Sequence, residues 1–241
     1  MKKLFIALLA GCLFVSYANA QDLKHNLKLN TLSLLAFNIS IQDEYTLNGN
    51  SAVCLGVSFL PERKIITNGV PEDRKVEVED LSFGGFSITP EYRYYFKGNG
   101  PKGLYLAGYF RYAKYSTNEA DYKFRRNDST AGKPNYEAVK ISGDYTVAAV
   151  GIMLGSQWLL TDRLTLDWWI IGAAFGSQTA SYIGKGDFDA GDQQDIKDSF
   201  DDINVGGIDA SVKTSSTQID VTVENHWPAV RAFGLCLGYR F

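Results

Sequence analysis

The last nine residues of the chain alternate large apolar side chains with small or polar ones. The odd positions from 233 to 241 hold Phe, Leu, Leu, Tyr and Phe, and the even positions hold Gly, Cys, Gly and Arg. Because successive side chains of a strand point to opposite faces, this segment has one apolar and one small or polar face. A final strand of this kind, ending on an aromatic residue, is typical of bacterial outer-membrane β-barrels. Its outer face meets lipid and its inner face meets a narrow lumen.

The first twenty residues have the composition of an export signal. Two lysines follow the initial Met, an apolar stretch runs from Leu4 to Val15, and an Ala-x-Ala site ends at Ala20. The apolar stretch is too short to span a bilayer, so the pattern predicts a cleaved signal peptide at residues 1–20. A Leu-Ala-Gly-Cys run ending at Cys12 offers an alternative lipoprotein cleavage site. Residues 21–241 are expected to form a single outer-membrane domain.

The charge and hydropathy of the chain bear on two questions: whether it binds nucleic acid and how it could cross a membrane. The chain has 24 basic and 27 acidic residues, and without the two lysines of the signal the 22 remaining basic residues leave a net charge of −5. A nucleic-acid-binding protein needs a basic surface, so no nucleic acid is expected as a partner. After the signal, no segment approaches the roughly 20 apolar residues of a membrane-spanning helix. Membrane crossing must therefore use strands, and the expected location is the cell outer membrane.

Segments with a two-residue period alternate with turns and loops along the mature chain. Counted back from the C-terminus, they predict strands at 26–36, 38–47, 51–60, 84–96, 103–115, 145–159, 163–176 and 229–241. When both termini are periplasmic, every second connection is a tight turn and the others are free to grow. The long connections 61–83, 116–144 and 177–228 are the third, fifth and seventh, as this rule requires. The predicted fold is an all-β, eight-stranded antiparallel up-and-down transmembrane β-barrel.

Two residues do not fit this pattern well. Pro90 removes a hydrogen-bond donor inside a predicted strand, and a closed barrel has no edge to accommodate it, so we expect a local bulge there. Asp43 falls among residues predicted to face lipid. Either the register of the first hairpin shifts near Asp43, or this carboxylate lies shallow enough to reach the membrane interface.

Three segments resemble a family of small outer-membrane barrel proteins of Gram-negative bacteria that has no assigned function. They are Leu27-Lys-Leu-Asn-Thr-Leu-Ser-Leu-Leu, Gly85-Phe-Ser-Ile-Thr-Pro-Glu-Tyr-Arg-Tyr-Tyr-Phe and Lys102-Gly-Leu-Tyr-Leu-Ala-Gly-Tyr-Phe-Arg-Tyr. The matching residues belong to the barrel wall, so the resemblance implies the fold and no catalytic or binding position. It also implies two partners, which are outer-membrane lipid and the barrel-assembly machinery that recognises a C-terminal strand ending at Phe241.

The alternation sends several charged side chains into the lumen. They are Lys28, Glu44, Glu91, Arg93, Arg111, Asp167 and Arg240. Because buried charges are tolerable only when paired, we expect the three acids to form a structural ion-pair network with Arg93, Arg240 and Lys28 that plugs the barrel. The bulky residues Tyr105, Tyr109, Trp169 and Phe175 are also expected to point inward and fill the lumen.

The favoured function is a scaffold that presents extracellular loops, without enzyme activity, cofactor or open pore; its extracellular partner is unknown. One alternative is binding or passage of a small apolar molecule through the barrel. A second is a lipid-modifying enzyme, which would need a serine activated by a histidine and oriented by an acid. His226, Glu224 and either Ser215 or Ser216 are the candidates for that role.

The longest loop and the cysteines complete the sequence predictions. The segment 187–202 holds seven aspartates among Gly and Lys, which is interpreted as a solvated loop tip; calcium binding is the alternative. No metal site is assigned, because the segment lacks the ordered pattern of a known calcium loop. Cys54 and Cys236 fall on separate strands, so two separate thiols are predicted rather than a disulfide.

Overall fold

The structure, a computed structural model, describes residues 23–64, 81–97, 100–126, 135–201, 208–226 and 228–241. The predicted signal peptide, including Cys12, lies outside these residues. The strands are β1 (His25–Asn30), β2 (Ile39–Thr46), β3 (Ser51–Lys64), β4 (Ser82–Tyr95), β5 (Gly103–Thr117), β6 (Ala120–Arg126), β7 (Asn135–Leu159), β8 (Leu164–Lys185), β9 (Ile208–Thr214), β10 (Gln218–Asn225) and β11 (Pro228–Arg240). Two helices are also described, α1 (Thr31–Leu35) and α2 (Ala190–Asp201).

Eight of the strands form a closed ring. The order is β1-β2-β3-β4-β5-β7-β8-β11, and β11 pairs back onto β1, with every pairing antiparallel. Each ring strand overlaps one of the eight segments that the alternation predicts. The fold is therefore an all-β antiparallel sheet in which the first and last strands of the chain meet.

The side chains of the ring divide into two faces. On β4, for example, Arg93 and Tyr95 are fully buried, whereas Tyr92 and Tyr94 are about half exposed, at 51% and 46%. The same separation on the other strands places polar and charged groups inside the ring and large apolar groups outside it. This is the distribution that the two-residue period predicts.

The sheet continues beyond the ring on one side. Strands β7 and β8, of 25 and 22 residues, extend past their ring neighbours and pair with β6 and β10, and β9 pairs with β10. A second small apolar core lies in this extension, around Val139, Phe188 and Ile219. The predicted solvated loop 187–202 is wrong in part, because residues 190–201 form helix α2, and this helix packs against β9.

The first predicted strand is shorter than expected. Residues 31–35 form helix α1 because the side chain of Asn30 accepts a hydrogen bond from the Ser33 amide at 3.1 Å and caps the helix. Thr31 Oγ1 donates to the carbonyl of Leu235 at 2.9 Å, which holds α1 against β11. Among the described residues, β11 pairs only with β8 over residues 228–235, so α1 takes the place of a strand on this part of the wall.

A bulge on β8 changes which face its residues occupy. Leu154 pairs with Ile171 whereas Gly155 pairs with Trp169, so Ile170 is an extra residue. Beyond it the inward and outward positions exchange. Phe175, which the alternation places inside, is 58% exposed on the outer face, so that prediction is wrong. Tyr105, Tyr109 and Trp169 are buried inside the ring.

Pro90 does not cause the expected bulge. The β4–β5 pairs on either side of it are Ile88 with Tyr112 and Glu91 with Tyr109, which belong to one continuous register. Pro90 itself pairs with Leu55 on β3. The proline therefore interrupts hydrogen bonding to one neighbour without shifting the strand, and the prediction of a bulge is wrong.

Asp43 also keeps the regular register, in which it pairs with Leu27 on β1 and Leu55 on β3. Its Oδ2 atom lies 2.9 Å from Nδ1 of His25, and both side chains are about 40% exposed (His25 39%, Asp43 41%). The carboxylate thus has a polar partner on the outer face, close to the end of the ring where β1 begins and β11 ends. Of the two explanations for Asp43, the structure excludes the shifted register.

Neither described helix is long and apolar enough to cross a membrane.

Candidate functional site

A cluster of charged side chains fills one half of the ring. Lys28 on β1 donates from Nζ to Glu44 Oε2 on β2 and to Asp167 Oδ2 on β8, both at 2.8 Å. All three side chains have no exposed surface. In the ring, β1 is the neighbour of β2, and only β11 separates it from β8. A single lysine side chain therefore connects carboxylates on both sides of the seam, which is the pairing of the first strand, β1, with the last, β11.

Arg93 on β4 connects the same two carboxylates to a third. Its Nη1 donates to Asp167 Oδ2 at 2.6 Å and to Glu44 Oε2 at 3.1 Å, and its Nη2 donates to Glu91 Oε2 at 2.9 Å. The guanidinium also lies over the ring of Tyr105, with its carbon 4.5 Å from the ring centre. The planar fork of an arginine suits this role because it donates in several directions at once.

The third cation of the cluster is Arg231 on β11. Its Nη1 donates to Glu91 Oε1 at 2.6 Å, and its guanidinium carbon lies 4.2 Å from the ring centre of Trp169 and 4.9 Å from that of Tyr109. The sequence prediction names Arg240 in this position. Arg240 lies apart from the cluster, and its Nη2 donates to the backbone carbonyl of Leu23 at 3.1 Å.

Neutral groups complete the hydrogen bonding of the carboxylates. Tyr95 donates to Glu44 and Tyr105 donates to Asp167, both at 2.8 Å. Gln157 on β7 donates to Glu44 Oε1 at 3.1 Å and accepts from Lys28. With Cys54 of β3 also within 3.6 Å of Glu44, every strand of the ring contributes a side chain.

The charges of the cluster cancel. Five of the predicted residues come together, and Arg231 makes the sixth, which gives three carboxylates and three cations. Buried charges are tolerable when they are paired and hydrogen-bonded, and each of these six groups has at least one oppositely charged partner. The carboxylates, Lys28 and Arg93 have no exposed surface, so the cluster leaves no room for a solute and connects the strands across the interior of the ring.

A cavity lies beside the cluster, further along the interior of the ring. Its volume is about 270 Å³, and its wall includes Arg111, Arg231, Trp169, Gln42 and Gly56. Arg111, which the sequence places in the lumen, lines this cavity instead of joining the cluster. The hypothesis of an apolar ligand requires an empty part of the lumen; such a space exists, but charged and polar side chains form much of its wall.

The residues considered for a hydrolytic site do not come together. Ser215 lies in the turn that joins β9 to β10, where its hydroxyl donates to the carbonyl of Gln218 at 2.9 Å. Glu224 lies at the other end of β10, and His226 is the first residue after this strand. Six residues of extended strand separate Gln218 from Glu224, which corresponds to roughly 20 Å. Within the described part of the chain, no three His, Cys, Asp or Glu side chains are grouped so that they could hold a metal ion.

Two important residues were not identified from the sequence. Arg231 lies on an odd position of the final strand, which the terminal alternation assigns to the outer face. Gln157 is neutral and was not considered among the charged interior residues. The available signal for Gln157 is its position on the inward face of β7, two residues from the inward Gly155.

No curated protein sequence matches this chain. A family model described as "Protein of unknown function (DUF3575)" matches residues 3–195, about four fifths of the sequence. Because this match covers more than half of the sequence, the chain belongs to the DUF3575 family.

Proposed function

We propose that the protein is an outer-membrane β-barrel whose plugged lumen makes it a rigid scaffold. The observation that carries this proposal is the reversed distribution of polarity: charged groups are buried inside the ring, and large apolar groups are exposed around its outside. The exposed set includes Leu29, Ile41, Leu55, Val57, Ile88, Leu106, Phe110, Ile152, Ile171 and Leu237. Such a surface would be unfavourable in water and is favourable in lipid.

The aromatic residues of the outer face support the same proposal. Tyr94, Phe96, Trp158 and Tyr239 are exposed near the ring end that carries the short turns and the C-terminus. Aromatic side chains are favoured at the level of the lipid headgroups. This end would face the periplasm, and assembly would start from recognition of the final strand and Phe241.

The scaffold would present the sheet extension at the opposite, extracellular end. This extension has its own apolar core and a covering helix, so it is an ordered platform. Loops and platforms on a rigid support commonly carry recognition, and binding of an extracellular partner is the function that we assign to it.

Membrane insertion and closure of the lumen can be tested separately. The protein, purified from membranes, is reconstituted in phospholipid vesicles and floated on a density gradient, and its gel migration is compared with and without boiling. We expect flotation and heat-modifiable migration, and no stable large conductance in planar bilayers, because side chains fill the lumen. Soluble periplasmic protein that does not bind vesicles would contradict the location, and a stable open pore would contradict the plug.

The interior cavity favours a second candidate function, which is binding of a small molecule in the part of the lumen that the cluster leaves open. The wall next to this cavity contains helix α1 in place of a paired strand, and Leu32 of α1 borders both the cavity and an apolar groove on the outer face. Helix α1 is therefore the place where a molecule could enter from the side.

A further inference from the structure

We propose that the cavity inside the ring is a binding site for a small organic carboxylate. This inference rests on the second candidate function and deepens it, because it assigns a ligand class to the cavity that the scaffold role leaves without a purpose. The cavity, of about 270 Å³, is far larger than the roughly 10–15 Å³ that one water molecule requires. Its chemical character follows from which polar groups on its wall already have partners.

The hydrogen-bond donors of the wall are in excess. Gln42, Trp169 and Arg231 each line the cavity, and each carries a buried side-chain N–H group that has no partner among the described residues, at Nε2, Nε1 and Nε respectively. Gln42 and Trp169 are themselves more than nine-tenths buried. Unpaired buried donors are costly, and a ligand rich in acceptors would satisfy them.

The amide oxygens of the wall, by contrast, are already used. Gln42 Oε1 accepts from Arg93 at 2.8 Å, Asn38 Oδ1 accepts from Ser58 at 2.9 Å, and Asn30 Oδ1 accepts from the Ser33 amide at 3.1 Å. A ligand in this space would therefore meet mainly donors. This asymmetry favours a ligand with acceptors over one with donors.

The charge on the wall points to an anion. Arg231 is paired with Glu91, but Arg111 has no carboxylate within ion-pair distance in the described part of the chain; its contact is with the Tyr115 hydroxyl at 3.5 Å. One net positive charge thus faces the cavity, carried by a guanidinium whose fork matches a carboxylate. The indole of Trp169 and the neighbouring Leu32 add apolar surface, which favours an organic body over an inorganic ion.

The test uses benzoate as the probe, with benzyl alcohol as its neutral match and inorganic phosphate as the inorganic anion. Binding to the full-length protein, purified in detergent and shown to be heat-modifiable, is measured by calorimetry and saturation-transfer NMR. We expect saturable binding of benzoate that is stronger than that of either comparison compound. Arg111→Gln should weaken it about tenfold, whereas Arg163→Gln, in a turn at the other end of the ring, should leave it unchanged.

A second variant tests the location without removing a charge. A Cβ at Gly56 would make only ordinary contacts with the wall, at 3.4 Å or more, so Gly56→Val should fit while filling part of the cavity and weakening benzoate binding. Gly108→Val is the matched control, because a Cβ there meets nothing within 4 Å. The proposal is overturned if benzoate does not saturate, if benzyl alcohol or phosphate binds equally well, or if Arg111→Gln and Gly56→Val both leave binding unchanged.

Discussion

Arg231 Nη1 donates to Glu91 Oε1 at 2.6 Å, across the interior of the ring from β11 to β4. The glutamate is fully buried, and its other oxygen accepts from Arg93. Arg231 thus lies at the boundary between the charged cluster and the cavity: it pairs with a carboxylate of the cluster and also lines the cavity. Its removal would leave the buried Glu91 carboxylate with one cation instead of two.

We expect Arg231→Gln to destabilise the protein by about 3 kcal/mol, since breaking a buried pair leaves an uncompensated charge. Urea unfolding in lipid vesicles, followed by tryptophan fluorescence and by heat-modifiable migration, measures this loss. Arg163→Gln is the control, because that exposed guanidinium bonds the Tyr239 hydroxyl outside the cluster. A loss below about 1 kcal/mol, within the range of exposed pairs, would show that Arg231 does not support the cluster.

The Lys28 and Asp167 side chains should be strongly coupled. Lys28→Met and Asp167→Asn each remove one charge from a neutral cluster, and each should cost about 3–5 kcal/mol. The double variant restores neutrality, so its loss should be smaller than the sum of the two single losses. A double-mutant cycle in the same urea experiment gives the coupling energy. Additive losses would mean that the two groups act independently, contrary to their 2.8 Å contact.

The strand positions were predictable because the ring has a polar inner face and an apolar outer face. Successive residues of a strand point to opposite faces, so apolar and polar residues alternate along its sequence. The period fails where both faces are apolar. Residues 168–171 are Trp-Trp-Ile-Ile, which have no alternation, so the bulge at Ile170 and the outward position of Phe175 could not be read from the pattern.

The same irregularity explains why Arg231 was not predicted to point inward. Counting back from Phe241 assigns odd residues of β11 to the outer face, but Arg231 pairs with Gly172, beyond the bulge at Ile170, in a register that is unbroken from Pro228 to Tyr239. Directly paired residues lie on the same face of a sheet, so β11 shares the exchange of faces on β8. Arg231 therefore turns inward and takes the place that the sequence prediction gave to Arg240. Helix α1 was missed for a different reason, because the cap at Asn30 is a local hydrogen bond that competes with strand pairing.

The contact between His25 and Asp43 should stabilise the seam between the first and last strands. His25 exchanges two backbone hydrogen bonds with Phe241, at 3.0 and 3.1 Å, and its ring stacks on Phe241 with centroids 5.5 Å apart. Asp43→Ala should release the His25 ring and speed amide hydrogen exchange of these two residues, while global stability falls by less than about 1 kcal/mol. Asp162→Ala, in the β7–β8 turn, is the control. Equal exchange in both variants would contradict a role for Asp43 at the seam.

Glu119 should give a measurable pH dependence in the sheet extension. Hydrogen bonds from Lys185 and Lys140 hold the pKa of its carboxyl below the ordinary value of 4.5. These lysines are paired directly across β7 and β8, so the carboxylate also relieves their repulsion. A depressed carboxyl pKa means that the stabilising contribution is present above pH 4.5 and is lost as the pH falls through the lower folded value.

An NMR titration of the Glu119 carboxyl should therefore have its midpoint below 4.5, and Lys185→Met should move it upward. Added salt should have the same effect, because the group is exposed. Lys102→Met, at the other end of the ring, is the matched control. An unchanged midpoint in Lys185→Met would mean that the contact is absent in solution.

Cys54 and Cys236 should behave as two buried thiols in the folded protein. Both are free, and they lie on β3 and β11 with β2 and β1 between them. Three strand spacings of about 4.8 Å separate them along the wall, well beyond the separation that a disulfide allows. A maleimide reagent should therefore label neither thiol in the native protein and both in urea, and the gel migration of the unfolded protein should not depend on reducing agent. Rapid labelling before unfolding would show that the half of the ring that holds the charged cluster is open to solutes, contrary to the plug.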